Sequence, residues 1–202
     1  MAEFLQTVAL DLSSGAVAPD VLFPFKPSEI RMEIGFGGGE RLIEQATLNP
    51  WVGFIGCEPF VNGVAKAIAA ISDRKLTNVR VHCGDARDVL AILPSASLDR
   101  IELLYPDPWP KHRHRKRRIV SLEFLEEAAR LLKPGRELWF ATDIDDYCGW
   151  TLDFVRRSAQ FDWPARRACD WLRPWAGWTP TRYEQKARRE NRPSAYLTFV
   201  RM

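Results

Sequence analysis

The sequence predicts an α/β fold built on a largely parallel sheet, and three observations carry that reading. Short apolar runs of strand length alternate with longer stretches whose apolar residues recur at helical spacing. The first of those runs ends directly in a glycine-rich turn, Gly35-Phe36-Gly37-Gly38-Gly39. The chain has 202 residues, 46% of them apolar, which suffices for one hydrophobic core and leaves two domains cramped.

Each element follows from its own pattern. Residues 1–28 are irregular, with Ser13-Ser14-Gly15 and prolines at 19, 24 and 27, and read as an arm or lead-in. Residues 29–202 read as a single domain. Ile30–Ile34 is the first strand. Glu40–Leu48 is a helix stopped by Pro50, and Val52–Cys57 a second strand. Val61–Arg74 is a helix, with Val64, Ile68 and Ile71 on one face. Val79–His82 and Ile101–Tyr105 are the third and fourth strands. Ser121 caps a helix with the stripe Leu122, Leu125, Ala129, Leu132, closed by Lys133-Pro134-Gly135. Glu137–Thr142 is a fifth strand, a helix carrying Tyr147, Thr151 and Phe154 follows, and Ala195–Val200 is the last strand. Strands alternating with helices imply right-handed crossovers, which place a ligand beyond the C-terminal strand ends.

Composition removes several classes of function. No stretch approaches the roughly 18 apolar residues of a membrane span. The acid at Glu3, where a leader peptide needs basic residues, points to a cytoplasmic chain. Four separated cysteines, Cys57, Cys83, Cys148 and Cys169, form no Cys-x-x-Cys pair, so neither a zinc site nor a disulfide scaffold is expected. Net charge is +3, but its distribution is uneven. Lys111–Arg118 holds six Lys and Arg and no acid, and Arg182–Arg192 holds five against two Glu. Removing the +6 and the +3 of these segments leaves −6 on the rest, a mildly acidic body with two basic segments.

The strand-end loops carry the chemistry. Gly35-x-Gly37-x-Gly39 is followed by Glu40 where a dinucleotide loop needs Gly or Ala, and a carboxylate there repels a pyrophosphate. With Glu33 beside it, the loop suits a cofactor that lacks phosphates and carries positive charge, such as S-adenosylmethionine. Glu58 ends the second strand, at the spacing of an acid that binds a ribose diol. Asp85, in Gly84-Asp85-Ala86 after the third strand, is placed to reach an adenine. After the fourth strand, Pro106-Asp107-Pro108-Trp109-Pro110 is a loop stiffened by prolines that fixes a carboxylate and an indole. The basic run begins at once after it, where arginines pair well with phosphates. Four tryptophans in the segment 163–178 read as packing.

On these residues the chain resembles the bacterial tRNA (guanine-N7-)-methyltransferases, which methylate a guanine in the tRNA variable loop. The resemblance rests on Glu33-Ile-Gly-Phe-Gly-Gly-Gly-Glu40, Glu58, Gly84-Asp85-Ala86, Pro106-Asp-Pro-Trp109 with Lys111, Arg113, His114 and Lys116-Arg-Arg118, Ala141-Thr-Asp143, and Thr181-Arg-Tyr-Glu184. It covers residue 29 to the end. It implies a Rossmann-like, S-adenosylmethionine-dependent methyltransferase fold, a mostly parallel sheet with an antiparallel C-terminal strand. By the same resemblance Glu33, Gly35, Gly37, Glu58, Asp85 and Asp107 contact the cofactor, and Asp107 is catalytic. Lys111, Asp143, Thr181, Arg182, Tyr183 and Glu184 bind the substrate. Arg113, His114, Arg115, Lys116, Arg117 and Arg118 touch RNA. The partner is tRNA, with no metal and no membrane. Three departures stand out: Pro110 replaces a common His, Arg182-Tyr183 replaces Lys-Phe, and the lead-in is short. Asp143 and Glu184 are candidates for reading the guanine edge. The other readings are an RNA-binding relative without catalysis, a methyltransferase with a different acceptor, and a nicotinamide-dependent dehydrogenase. Glu40, and the absence of a proton-transfer pair, argue against the last.

Overall fold

The computed structural model describes residues 8–10, 12 and 18–202; Glu3 and the Ser13-Ser14-Gly15 turn lie outside them. Among the described residues the elements are β1 (Glu29–Ile34), α1 (Glu40–Leu48), β2 (Val52–Cys57), α2 (Val61–Asp73), β3 (Val79–His82), α3 (Ala86–Ile92) and β4 (Leu98–Leu104), followed by α4 (Leu122–Leu131), β5 (Leu132–Thr142), α5 (Asp145–Ser158), β6 (Phe161–Asp162), α6 (Cys169–Leu172), α7 (Arg182–Arg189) and β7 (Ala195–Arg201). Short 3₁₀ turns occupy Pro19–Leu22 and His112–Arg117.

The strands form one sheet in the order β3-β2-β1-β4-β5-β7-β6. β1 to β5 are parallel, and β7 runs antiparallel between β5 and β6. The chain works outward from β1 to β3 and then returns to the other side of β1 at β4. That reversal is a topological switch point, where diverging loops leave a crevice beyond the strand ends. Met32, Ile55, Ile101, Leu103, Phe140 and Phe199 form the centre of the core at 2% exposure or less. Helix α4 closes over it with Leu125, Ala128 and Ala129, while Leu42, Ile43 and Ala46 of α1 and Val64, Ala67 and Ile71 of α2 pack with Phe54, Val79 and Val81 in a second cluster. No described helix is long and apolar enough to cross a membrane. Among the described residues no cluster of three His, Cys, Asp or Glu could hold a metal.

Several boundaries differ from the sequence reading. The fourth strand starts three residues early, at Leu98, and stops at Leu104, because Tyr105 turns to φ 52°. Lys133-Pro134-Gly135 does not cap a helix from outside. It lies within β5, where the register against β4 shifts between Leu98 and Arg100 and Gly135 sits at φ 75°. Proline lacks a ladder donor and glycine tolerates the left-handed region, so the pair forms an irregularity in the strand. Helix α3 has no counterpart among the elements the sequence predicts. Its start is set by Asp85, whose carboxylate accepts the Arg87 amide at 2.9 Å.

The lead-in also contributes to the core. Val8 and Leu10 are buried, and the Leu10 amide donates to the Val81 carbonyl at 2.9 Å, extending the β3 edge. Phe23 fills the space left by Gly53: a Cβ there would sit 2.4 Å from its ring. Large-to-small changes at such sites cost about 3–5 kcal/mol. Phe23→Ala is therefore expected to lower the urea-unfolding free energy by about 3 kcal/mol. A change below about 0.5 kcal/mol, the size of a surface substitution, would show that residues near 23 only rest on the sheet.

Candidate functional site

The crevice at the switch point is a cleft of about 620 Å³, bounded by the loops after β1, β2, β3 and β4. Gly35, Gly37 and Gly39 have φ of 77°, 60° and 77°, in the region where a side chain is strained. Their amides are already engaged. Gly35 N–H donates to the Cys57 carbonyl (2.7 Å), Gly37 N–H to Glu58 Oε2 (2.8 Å) and Gly39 N–H to the Phe36 carbonyl (3.0 Å). Glu58 Oε1 accepts from the Phe60 amide at 2.9 Å. Glu58 thus ties the first loop to the second while its carboxylate lines the cleft. These three amides are taken up within the protein, and Glu40 opens α1 with a carboxylate that would repel a pyrophosphate. Asp85 lines the same cleft, half-exposed and paired with Arg87 at 2.9 Å.

Asp107 reaches the cleft from the opposite wall and is exposed. Its loop is held in an unusual conformation, with Tyr105 at φ 52° and Trp109 at φ 42° on either side of Pro106-Asp107-Pro108. Non-glycine residues in that region are strained and persist where their surroundings fix them. The Tyr105 amide donates to the Ala141 carbonyl at 2.7 Å, which anchors the start of the loop to β5. Trp109 lies between the Arg117 guanidinium, 4.8 Å from its ring centre, and the His114 ring at 6.0 Å.

The basic segment winds into the 3₁₀ turn beside this loop. Lys111, Arg113, Lys116 and Arg117 are exposed, and His114 and Arg115 half-buried. Arg118 differs: its side chain is 0% exposed, so this member of the expected RNA-contact set points into the protein. Thr181 caps α7, its hydroxyl accepting from the Glu184 amide at 3.1 Å. Arg182 and Tyr183 reach the cleft, and Arg182 pairs with Glu40 at 3.5 Å. Glu184 is also 0% exposed. It accepts from Trp178 Nε1 (2.5 Å), Tyr196 OH (2.7 Å) and Arg188. With its oxygens filled this way, Glu184 presents no free edge to a base. Asp143 stands at the end of β5, paired with Arg192 at 2.7 Å, and lies outside the lining of the cleft.

Glu33 does not line the main cleft. It sits in the wall of a neighbouring one, of about 780 Å³, between the glycine loop and α7. It is 6% exposed, and Arg41 Nη1 donates to it at 3.1 Å while also donating to Glu102. The Trp178 ring covers the Arg41 guanidinium at 4.8 Å. The sequence reading missed Arg41, Glu102, Trp178 and Tyr196, since a buried ion pair leaves no periodic signal. Burial pushes the Glu33 carboxyl up to about 7 from an ordinary 4.5, against the pull of Arg41 and with a further push from Glu102. The folded state therefore holds this proton where the unfolded chain has released it. That contribution to stability is full below about 4.5 and lost as pH rises through about 7. Relative to wild type, Glu33→Gln is expected to gain in unfolding free energy between pH 5 and pH 8. An equal wild-type-to-variant difference at both pH values would contradict the burial argument.

Comparisons with known proteins bear on the family and the fold. The methyltransferase family model Methyltransf_4 matches residues 27–197. Solved structures with the same fold include the aminoglycoside resistance methyltransferase NpmB1 (TM-score 0.61, 20% identity, 87% of this chain and 88% of that one) and the 16S rRNA methyltransferase KamB (TM-score 0.61, 17% identity, 99% and 93%). Curated tRNA (guanine-N(7)-)-methyltransferases are far closer in sequence. That of Rhizobium meliloti is 54% identical over 198 residues, covering 98% of this chain and 85% of the relative. That of Rhodopseudomonas palustris strain BisB18 is 52% identical over 204 residues, covering 100% and 80%. With half its residues shared over nearly its whole length, the chain belongs to the tRNA (guanine-N(7)-)-methyltransferase family.

Proposed function

We propose that this chain transfers the methyl group of S-adenosylmethionine to N7 of a guanine in tRNA. The observation that carries the reading is the placement of Asp107. A strained, proline-bound loop holds its carboxylate across a cleft from Glu58 and Asp85, and exposed cations begin at Lys111 beside it. We assign the reaction to the cytoplasm, where its substrate is. Residues 29–202 act as one catalytic domain, and the described part of the lead-in packs against it. We place the guanine in the variable loop, as the motif resemblance implies.

The cleft fits the cofactor by its chemistry. Three glycine-loop amides are used within the protein, and the Glu40 carboxylate at the start of α1 opposes a phosphate there. The acids suit a ligand bearing an ammonium and a sulfonium. When bound, S-adenosylmethionine supplies an electrophilic methyl carbon. The chain's own residues bind and orient. Each Glu58 oxygen accepts one amide and keeps a lone pair that can take a ribose hydroxyl. Asp85 is assigned to the adenosine end, and Gly35 and Gly37 allow close approach of the ligand. Guanine N7 offers an in-plane lone pair and has no proton to lose, so no general base is required. Alkylation makes the base cationic. The Asp107 carboxylate stabilises that developing charge from a fixed position, which needs no reorganisation at the moment of transfer. Positioning supplies the rest, since in-line attack needs the reacting atoms near contact distance. Arg182, Tyr183 and Thr181 face the acceptor, with Lys111 and Asp143 at its margin. Glu184 holds α7 in place. Glu33 supports the glycine loop from below.

Asp107→Asn is expected to lose about a hundredfold or more in methyl transfer while binding tRNA normally. Near wild-type turnover would remove the assignment. Arg113→Ala and Lys116→Ala should each weaken tRNA binding and reduce the slope of log affinity against log salt by about one unit per lost phosphate contact. An unchanged slope would mean these cations only face solvent. Incubation with methyl-labelled S-adenosylmethionine and tRNA, then digestion, should give 7-methylguanosine. Label in another nucleoside, or none, would overturn the function.

A further inference from the structure

We infer that Arg118 is a positioning residue for the Asp107 loop and not a contact to RNA, an inference that rests on the role of Asp107 proposed above. Pro106, Pro108 and Pro110 have no N–H group, so the loop is short of internal donors to hold its shape. Arg118 supplies one from outside. Its Nε donates to the carbonyl of Pro108, the residue after Asp107, at 2.8 Å. Its Nη2 pairs with Asp146 in the first turn of α5. The flat face of the guanidinium lies 4.7 Å from the Tyr147 ring centre and 5.0 Å from that of Trp150. Trp150 is fixed in turn, its indole N–H donating to the Val120 carbonyl at 2.9 Å. The loop is thus pinned to β5 at Tyr105 and to α5 through Arg118, with Asp107 between the two ties.

The same anchor serves the basic segment. Arg115 Nη2 donates to Asp146 Oδ1 at 2.6 Å while Arg118 takes the other oxygen. One carboxylate thereby fixes both the RNA-facing turn and the loop that carries Asp107. The arrangement needs arginine: a planar fork donates in two directions while its face stacks, and an ammonium cannot do all three. Arg118→Lys therefore keeps the charge and removes the geometry.

The test compares Arg118→Lys with wild type, and with Arg113→Ala as the RNA-contact control, well below their melting temperatures. Arg118→Lys should bind tRNA within twofold of wild type with the same salt slope, while kcat at saturating tRNA falls about ten- to a hundredfold. Arg113→Ala should show the reverse, a weaker Kd with kcat retained. Amide hydrogen exchange over Asp107–Trp109 should speed up about tenfold in Arg118→Lys and stay unchanged in the control. Loss of tRNA affinity and salt slope with kcat intact would make Arg118 an RNA contact and overturn the inference. Unchanged kcat, or unchanged exchange in the loop, would also overturn it. Wild type inactive on tRNA would instead defeat the proposed function, and the exchange result would still decide the role of Arg118. If Arg118→Lys does not fold, Asp146→Asn carries the same expectations for kcat at saturating tRNA and for exchange over Asp107–Trp109, and an unchanged kcat or unchanged exchange overturns the inference; tRNA affinity is not the readout for that variant, because Asp146 also holds Arg115.

Discussion

Arg41 is the residue on which the site depends. It sits in the first turn of α1, directly after the glycine loop, and its guanidinium holds Glu33 from β1 and Glu102 from β4. Those strands flank the switch point, so this one cation ties together the two halves of the sheet where the chain reverses direction. All three side chains are 7% exposed or less. Removing a partner from such a set leaves charge buried without compensation, which is among the costliest changes a core can suffer. The connection continues outward: Trp178 covers Arg41 and donates to Glu184, and Glu184 also takes the Tyr196 hydroxyl. α1, α7 and β7 therefore share one largely buried polar network with β1 and β4.

A second arginine does for the opposite wall what Arg41 does for the first. Arg118 ties the Asp107 loop to α5 as Arg41 ties the glycine loop to the sheet. Both are stacked on aromatic rings and both are nearly inaccessible. Lys111, Arg113, Lys116 and Arg117 stay exposed beside the loop, available to a polyanion, and the acids of the strand ends line the cleft. The charge separation seen along the sequence becomes a separation in space. A body of net −6 surrounds a cleft suited to a cationic cofactor, and the basic segments stand at its mouth.

Much of this was legible from residue order. The helix Glu40–Leu48 and the strands Val52–Cys57 and Val79–His82 have the same bounds in sequence and structure, because Gly, Pro or Asn punctuates clear apolar patterns there. Gly35, Gly37, Glu58, Asp85 and Asp107 meet in one cleft because parallel strands deliver all their C-terminal ends to one edge. What the sequence hid has two causes. Helix α3 has seven residues, too few to show a period. Lys133-Pro134-Gly135 carries the composition of a helix stop, yet Leu132 pairs with Leu98 and draws the segment into a strand. Arg118 looks like its neighbours in a charge run, and only its partners at Pro108 and Asp146 turn it inward. Glu184 is likewise defined by Tyr196, twelve residues away. Pairing between residues distant in sequence decided the last three cases, and short-range pattern does not report it.

The most direct measurement of the central claim, that two arginine-pinned loops frame one cofactor cleft, is a crystal structure with S-adenosylhomocysteine bound. The account predicts the ribose hydroxyls on Glu58, the adenine beside Asp85 and the sulfur facing Asp107. The product seated instead against Glu33 and Arg41 in the neighbouring cleft would contradict it.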